Sequence, residues 1–296
     1  MAKSKLRKSY EKLSFQVFIT IWVTFCVIFL LIPLTITIIN STKTYDEITA
    51  NVFSWTKSSF SSNVVENYRR ALLGPKDKMG FGLYQPFLRT IGLCVLGAIG
   101  NVALGSLLAY QFTYKDFPFK QGLFLMFIAV MLLPGIMGMP TLVPLVKKTL
   151  GLGESVWGYL LPTYAGGQVT TLFLFRTFFG QQPKSIYESA QIEGANDFFI
   201  YMRITLPLAF PIILYQLVGT FNSVYNDYLW PSLLWSGKGI DLQTVTLVLR
   251  LNTDQWEMNP GAVYAMYILS SIPLIFTSAI SMKYFSSGDF ASGMKL

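Results

Sequence analysis

Apolar residues occur in six long runs that are separated by shorter polar segments, and no run holds more than one charged residue. A helix that crosses a membrane needs about 20 mostly apolar residues, because the hydrocarbon layer is about 30 Å thick. Each run is long enough for this. The pattern therefore predicts an all-α, polytopic membrane protein with six transmembrane helices. The six runs are 15–39, 90–113, 121–146, 156–179, 204–235 and 261–285.

The polar segments between the runs predict how the chain is organised. We expect a cytoplasmic N-terminal tail, an uncleaved first transmembrane helix, an extracytoplasmic loop, a core of five transmembrane helices and a cytoplasmic C-terminal tail. A cluster of five basic residues before the first run indicates a cytoplasmic N-terminus, and six spans return the C-terminus to the same side. The basic cluster comprises Lys3, Lys5, Arg7, Lys8 and Lys12. The boundaries of the five segments are 1–14, 15–39, 40–89, 90–285 and 286–296.

Composition excludes several classes of function. The chain has 296 residues with 23 Lys and Arg, 15 Asp and Glu, a net charge of +8 and no histidine. Catalysis by Ser-His-Asp or Cys-His groups and zinc sites with histidine ligands all need an imidazole. Cys26 and Cys94 lie in apolar runs, where we expect them to act as small hydrophobic residues. No polar segment carries a basic stripe with interleaved aromatics, so nucleic acid is not an expected partner.

The polar segment 183–203 predicts two short helices on the cytoplasmic side. Residues 185–193 suit a helix capped by Ser185, and Gly194 provides a left-handed stop after it. Asn196 suits the cap of a second helix. Leu206 and Pro207 would end that helix and begin the next span. The second helix would expose an apolar face, which usually marks a protein partner. That face comprises Phe198, Phe199, Tyr201 and Met202.

Three stretches resemble the membrane subunits of bacterial ABC importers. The pattern E-S-A-x-x-E-G-A at 188–195, followed by I-x-L-P at 204–207, is similar to the "EAA" loop, usually E-A-A-x-x-D-G-A. The chain differs from that pattern at Ser189 and Glu193, and both changes preserve the helix and its acidic end. The segment 225–231 and the tail 287–295 are similar to carbohydrate permeases of the maltose-permease second-subunit type.

The resemblance implies a permease whose partners are a second permease subunit, two copies of a cytoplasmic ATP-binding subunit, an extracytoplasmic solute-binding protein and membrane lipid. ATP and magnesium would bind the ATP-binding subunits, and this chain would hold no cofactor or metal. It would not be an enzyme, because its sequence has no G-x-x-x-x-G-K-[ST] loop for binding the phosphates of ATP. The loop 183–203 would couple ATP hydrolysis to transport in the cell membrane of a prokaryote. The coupling residues implied are Glu188, Ser189, Ala190, Glu193, Gly194, Ala195, Phe198, Leu206 and Pro207.

The solute is expected to be a sugar or oligosaccharide, moved by alternating access. The alternatives are a polyol or a glycerol-3-phosphate-type solute carried by the same architecture, or an ATP-independent secondary transporter. Asp227 is the one acidic residue inside a predicted span, and it either lines a solute pathway or caps a helix interruption before Pro231. The other candidates for the pathway are Asn222, Asn226 and Tyr228. Asn101, Gln168 and Asn222 either line a polar path for an uncharged solute or form hydrogen bonds between helices. The loop 40–89 either contacts the solute-binding protein or covers its own helices.

Overall fold

The computed structural model describes residues 2–55, 60–74, 82–235, 242–254 and 260–286, and these residues contain helices and no strand. A 3-10 helix, Gly135–Gly138, and two single π-helical turns, Leu145–Thr149 and Tyr201–Thr205, interrupt the α-helices. The α-helices are α1 Ala2–Asn40, α2 Tyr45–Ala50, α3 Phe60–Leu73, α4 Tyr84–Tyr114, α5 Lys120–Met131, α6 Met139–Pro144, α7 Val156–Phe179, α8 Lys184–Ile192, α9 Asp197–Ile200, α10 Leu206–Leu208, α11 Phe210–Asn226, α12 Leu229–Trp235, α13 Val245–Asp254 and α14 Pro260–Ser286.

Three to five of these features are long and apolar enough to cross a membrane. The three continuous candidates are Phe15–Asn40, Tyr84–Tyr114 and Pro260–Tyr284. Two further candidates are helix pairs bent at a short break. One joins Lys120–Met131 to Gly135–Thr149 at 91°, and the other joins Asp197–Leu208 to Phe210–Asn226 at 79°.

Two of the predicted continuous runs are therefore interrupted. The run 121–146 bends before Pro134, whose missing N–H and fixed φ disfavour a continuous helix. The run 204–235 is broken at Ala209, between Pro207 and Pro211, and again at Asp227, whose backbone is extended. The prediction of one span over 204–235 is not confirmed as a continuous helix: the part up to Asn226 is a candidate span bent by 79° at Ala209, and α12 follows the second break at Asp227.

Helix α7 is 24 residues long, about 36 Å at 1.5 Å per residue, but its middle is more polar than that of the three continuous candidates. Glycines, a glutamine and two threonines lie between Gly166 and Thr171. Much of α7 is buried, including Tyr159, Leu172 and Phe175. A helix that is surrounded by other helices needs fewer apolar residues than one that meets lipid on every side.

The chain divides into two units. The first comprises Met1–Phe81 and Asn252–Leu269. In it, the side chain of Lys43 is fully buried and its Nζ donates to the carbonyls of Asn51 and Val52 at 3.1 and 3.0 Å. The Asn67 amide donates to the carbonyls of Ser41 and Lys43, both at 2.9 Å. These bonds hold the loop that follows α1 in a defined conformation.

The second unit comprises Gly82–Leu251 and Ser270–Leu296, and within it α4 packs along α7. Glycines allow the close approach. A Cβ atom on Gly105 would lie 2.4 Å from the Cβ of Thr171, and a Cβ atom on Gly167 would lie 2.4 Å from Nδ2 of Asn101. A Cβ atom at Gly105 would overlap a Cβ atom that cannot move aside, so this position needs glycine. A Cβ atom at Gly167 would displace the Asn101 amide. Small residues at such interfaces are a common means of packing helices in membranes.

Candidate functional site

Helices α8 and α9, residues 184–200, form a short helical hairpin, here called the α8–α9 pair. Gly194 joins them with φ +85°, the left-handed conformation that glycine adopts without strain. The Asn196 side chain caps α9 by accepting from the Phe199 backbone N–H at 2.8 Å. Both local predictions are confirmed. The predicted Ser185 cap was wrong, because α8 begins at Lys184 and its N-cap residue is Pro183, which has no side-chain acceptor.

One face of the α8–α9 pair is buried against α4, α7 and α11. Tyr187, Ala190 and Ile200 belong to one hydrophobic cluster with residues of those helices. The Tyr187 ring stacks on the Tyr114 ring with centroids 4.2 Å apart. Tyr201, which was predicted to be exposed, is buried as well. It follows the buried Ile200 in the same cluster, and its hydroxyl lies 2.7 Å from Ser106 Oγ.

Polar contacts reinforce this attachment. The Tyr114 hydroxyl donates to the Phe179 carbonyl at 3.0 Å and lies 3.2 Å from Oε1 of Gln182. The Tyr187 hydroxyl donates to the same Oε1. An ion pair between Lys115 Nζ and Asp197 Oδ1, at 2.5 Å, joins the end of α4 to the start of α9. The α8–α9 pair is thus fixed to the ends of α4 and α7 at several points.

The opposite face of the α8–α9 pair exposes large apolar side chains. Ile192 is 87% exposed and Phe198 is 68% exposed, and Phe199 and Met202 are also exposed. We call these four residues the apolar surface of the pair. Ile192 was missed in the sequence because it lies at the C-terminal end of α8, with no second large apolar side chain in the last turn to mark an exposed apolar face. Of the other predicted coupling residues, Glu188, Ser189, Glu193, Gly194 and Pro207 are exposed, Ala195 and Leu206 are half-buried, and Ala190 is buried.

A cleft of about 640 Å³ lies between α4, α7, α11 and the segment around the 3-10 helix. Polar groups contributed by three helices face it. Asp227, at the C-terminal end of α11, is the one carboxylate among its lining residues. The lining residues are Asn101, Gly135, Met139, Tyr159, Pro162, Thr163, Gly166, Gly167, Thr170, Leu174, Tyr215, Gln216, Gly219, Thr220, Ser223, Val224 and Asp227.

Asp227 acts as a cap for α12. Its Oδ1 accepts from the Trp230 backbone N–H at 3.2 Å, and its Oδ2 accepts from the Tyr159 hydroxyl at 3.0 Å. The interpretation of Asp227 as the cap of a helix interruption before Pro231 is confirmed, because α11 ends at Asn226 and α12 begins at Leu229. Its carboxylate also reaches the edge of the cleft.

The other predicted pathway residues lie outside the cleft lining. Asn222 accepts from the Thr277 hydroxyl at 3.0 Å, and Nδ2 of Asn226 donates back to the carbonyl of Asn222 at 2.8 Å. Tyr228 is exposed, with the guanidinium of Arg250 5.6 Å from its ring centroid. The sequence singled out the polar residues at the end of α11, whereas the cleft uses Gln216, Thr220 and Ser223 earlier in the same helix.

Asn101 is the most unusual residue of the cleft. Only 2% of its surface is exposed, and its Oδ1 has no hydrogen-bond partner in the part of the chain that the structure describes. Leaving a buried acceptor unpaired costs about 1–3 kcal/mol. The amide lies directly over Gly167, where a Cβ atom would come within 2.6 Å of Nδ2, Oδ1 and Cγ. The backbone of α7 therefore holds this amide in place beside the cleft.

Comparisons with known proteins agree with this architecture. The chain is 30% identical over 226 residues to the polygalacturonan/rhamnogalacturonan transport system permease protein YtcP of Bacillus subtilis, which covers 72% of this chain and 77% of that protein. It is also 30% identical over 230 residues to the sn-glycerol-3-phosphate transport system permease protein UgpE of Brucella abortus, covering 76% and 79% of the two chains.

The fold is similar to that of a chain in the crystal structure of a bacterial ABC transporter involved in the import of the acidic polysaccharide alginate. The TM-score is 0.73 at 19% identity, over 92% of this chain and 96% of that chain. Residues 101–288 match the family model for the binding-protein-dependent transport system inner membrane component. This range includes α7, the α8–α9 pair and α11. The chain therefore belongs to the family of binding-protein-dependent transport system inner membrane components.

Proposed function

We propose that this chain is a permease subunit of an ABC importer that takes up a sugar or oligosaccharide by alternating access. The observation that carries the proposal is that the α8–α9 pair buries one face against the helices of its own chain and exposes an apolar surface on the other. Its exposed polar residues, such as Glu188 and Glu193, do not suit the lipid interior, yet Ile192 and Phe198 leave an apolar surface uncovered. Such a surface usually binds another protein. The partner proposed for it is a cytoplasmic ATP-binding subunit.

The proposed importer contains this chain, a second permease subunit, two copies of the ATP-binding subunit and an extracytoplasmic solute-binding protein. ATP and magnesium bind the ATP-binding subunits, and this chain catalyses no reaction. Closure of those subunits on ATP would move the α8–α9 pair and, through the buried Tyr187 and Tyr201, the helices that line the cleft. Only binding that differs between the inward-facing and outward-facing states can shift their equilibrium.

The proposed topology has six spans, with α7 as the fourth and both bent pairs crossing the membrane. The α8–α9 pair then lies on the cytoplasmic side, between the fourth and fifth spans. The basic N-terminal segment 1–14 supports cytoplasmic termini. Helix α1 is exposed along its apolar stretch 15–35, which suits contact with membrane lipid. The membrane is the inner or plasma membrane of a prokaryote.

The solute class rests on the permeases to which this chain is similar. Two of them are named for polygalacturonan/rhamnogalacturonan and for sn-glycerol-3-phosphate. A sugar or oligosaccharide is the proposed solute, and a polyol or a glycerol-3-phosphate-type ester is the second candidate. An ATP-independent secondary transporter is the remaining alternative, and it would have no use for the apolar surface of the α8–α9 pair.

The test is a pull-down of the full-length chain, co-expressed with its genomic neighbours and solubilised in detergent. Ile192→Asp and Phe198→Asp place a charge on the apolar surface. Burying one such side chain contributes about 1.5–3 kcal/mol, so each variant should bind the ATP-binding subunit about 10- to 100-fold more weakly. Ile192→Leu and Phe198→Leu are the matched controls, since they keep the surface apolar.

Mass spectrometry would identify the co-purifying proteins. We expect an ATP-binding subunit and a second permease with the wild type and both Leu variants, and loss of only the ATP-binding subunit with the Asp variants. Uptake by reconstituted vesicles should then require ATP. If the wild type purifies alone and still moves solute without ATP, the importer proposal is wrong and the secondary transporter replaces it.

A further inference from the structure

We propose that the cleft between α4, α7 and α11 is a solute-binding site on this subunit, that its ligand is an uncharged, hydroxyl-rich molecule, and that Asn101 binds the ligand's hydroxyl groups. This inference rests on the proposed function and narrows its solute to a neutral sugar or polyol. The cleft volume of about 640 Å³ lies within the range of pockets that enclose small-molecule ligands, about 300–1,000 Å³.

The side chain of Asn101 has a hydrogen-bond acceptor that a ligand, rather than the protein, would satisfy. A carboxamide offers both a donor and an acceptor, and a hydroxyl group can pair with either. In this chain the Oδ1 atom is buried without a partner, and the amide is held against Gly167 on the wall of the cleft. A hydroxyl of a bound solute would satisfy the atom that the fold leaves unpaired.

Helix α11 contributes a second polar side chain, that of Gln216, to the lining of the cleft. Nε2 of Gln216 donates to the Thr171 hydroxyl at 2.9 Å and lies 3.4 Å from the Thr220 hydroxyl. These contacts fix the orientation of the amide and leave its Oε1 as an acceptor. Such an acceptor suits a hydroxyl donor and repels a phosphate or carboxylate. Tyr215, which also lines the cleft, presents an aromatic ring of the kind that packs against the apolar face of a sugar.

The charges of the described cleft lining disfavour an anionic ligand. None of its described lining residues is Lys or Arg, the side chains that bind phosphate and carboxylate groups. The one ionisable carboxylate, Asp227, already accepts from Tyr159 and from the Trp230 backbone. It would repel an anion that approached the site. A neutral solute meets no such penalty.

The test uses the complete importer reconstituted in proteoliposomes, with its ATP-binding subunits and solute-binding protein. The probes are maltose, raffinose and mannitol, which are neutral, and galacturonic acid and sn-glycerol-3-phosphate, which are anionic. We expect ATP-driven uptake of at least one neutral probe and of neither anion. Asn101→Leu should raise the KM for that probe at least tenfold.

Thermal unfolding separates ligand binding from a structural role. Because Oδ1 of Asn101 is unpaired in the protein, Asn101→Leu should keep or raise the Tm. Thr277→Val is the matched control: it removes a buried hydroxyl that is paired with Asn222, so it should lower the Tm and leave the KM unchanged. A lower Tm with an unchanged KM for Asn101→Leu would overturn the role of Asn101. ATP-driven uptake of an anionic probe, or of no neutral probe, would overturn the solute class. Absence of any ATP dependence would instead refute the proposed function.

Discussion

The close packing of α4 on α7 can be tested by adding a single methyl group. The most informative substitution is Gly105→Ala, because its Cβ would lie 2.4 Å from the Cβ of Thr171 and 3.2 Å from the carbonyl oxygen of Gln168. Both neighbours belong to the body of α7, and neither is the far end of a flexible side chain. The helices must therefore separate or α7 must shift, and the bond from Gln216 to Thr171 would be strained.

A matched control lies on the same helix. Gly92 is also in α4, and a Cβ atom there meets no atom within 4 Å. Replacing a helical glycine by alanine contributes about 0.5–1 kcal/mol at either position through backbone entropy. Because that gain is shared, the difference between the two variants isolates the steric penalty. Overpacking of this kind costs about 1–3 kcal/mol.

The assay is thermal unfolding of the full-length chain in detergent, followed by intrinsic tryptophan fluorescence. A difference of 1 kcal/mol corresponds to about 2–4 °C in Tm for domains of comparable size. We expect Gly92→Ala to unfold at or slightly above the wild-type temperature and Gly105→Ala to unfold several degrees below Gly92→Ala. Equal Tm values for the two variants would refute the close approach of α4 and α7.

Two further predictions concern a helix cap and a buried lysine. Asp227→Ala should destabilise the protein by about 1 kcal/mol through loss of the α12 cap, and by about 1–3 kcal/mol more because the Tyr159 hydroxyl is left unpaired. Asp227→Asn should destabilise it less, because the amide keeps an acceptor oxygen. A comparison of the Tm values of the two variants checks this. Burial lowers the pKa of Lys43 below its usual value of 10.5. At pH values just below 10.5 the folded loop therefore binds fewer protons than the unfolded loop. The resistance of the loop to proteolysis should accordingly rise with pH in this range. Lys43→Met should abolish this rise and speed cleavage at pH 8, since two loop carbonyls lose their donor; an unchanged pH profile would contradict the assignment.

Local features were predictable from the sequence where a few neighbouring residues determine them. Gly194 and Asn196 behave as predicted, because a left-handed turn and a helix cap depend on the residue type at one position. The interruption at Asp227 was also foreseen as one of two alternatives, since Pro231 follows so closely. Tyr201 was placed on the wrong face because it packs beside Ile200 into the cluster with α4 and α7, and a short segment of sequence does not reveal those distant partners.

Features that depend on the meeting of distant segments were not predictable. The sequence left two uses open for Asn101, a polar path or a hydrogen bond between helices, and it could not show that α7 brings Gly167 against the amide. The cleft is equally invisible in the sequence, because Asn101, Gln216 and Asp227 are more than 100 residues apart at the extremes. The proline pair at 207 and 211 signalled a break, but the 79° angle at Ala209 follows from the packing of α10 and α11.

Helix α7 connects the two candidate sites within one rigid element. Near its C-terminal end, Phe175 and Phe179 lie in the cluster that buries Tyr187 of the α8–α9 pair. About three turns before Phe179, Gly167 contacts the Asn101 amide at the cleft. Residues 167 and 179 are about 18 Å apart along a helix that rises 1.5 Å per residue. A displacement of the α8–α9 pair would therefore move the wall of the cleft directly, because a packed helix transmits motion along its axis with little internal deformation. Under the proposed function, energy released on the ATP-binding subunit would reach the cleft in this way without any bond being made or broken in this chain.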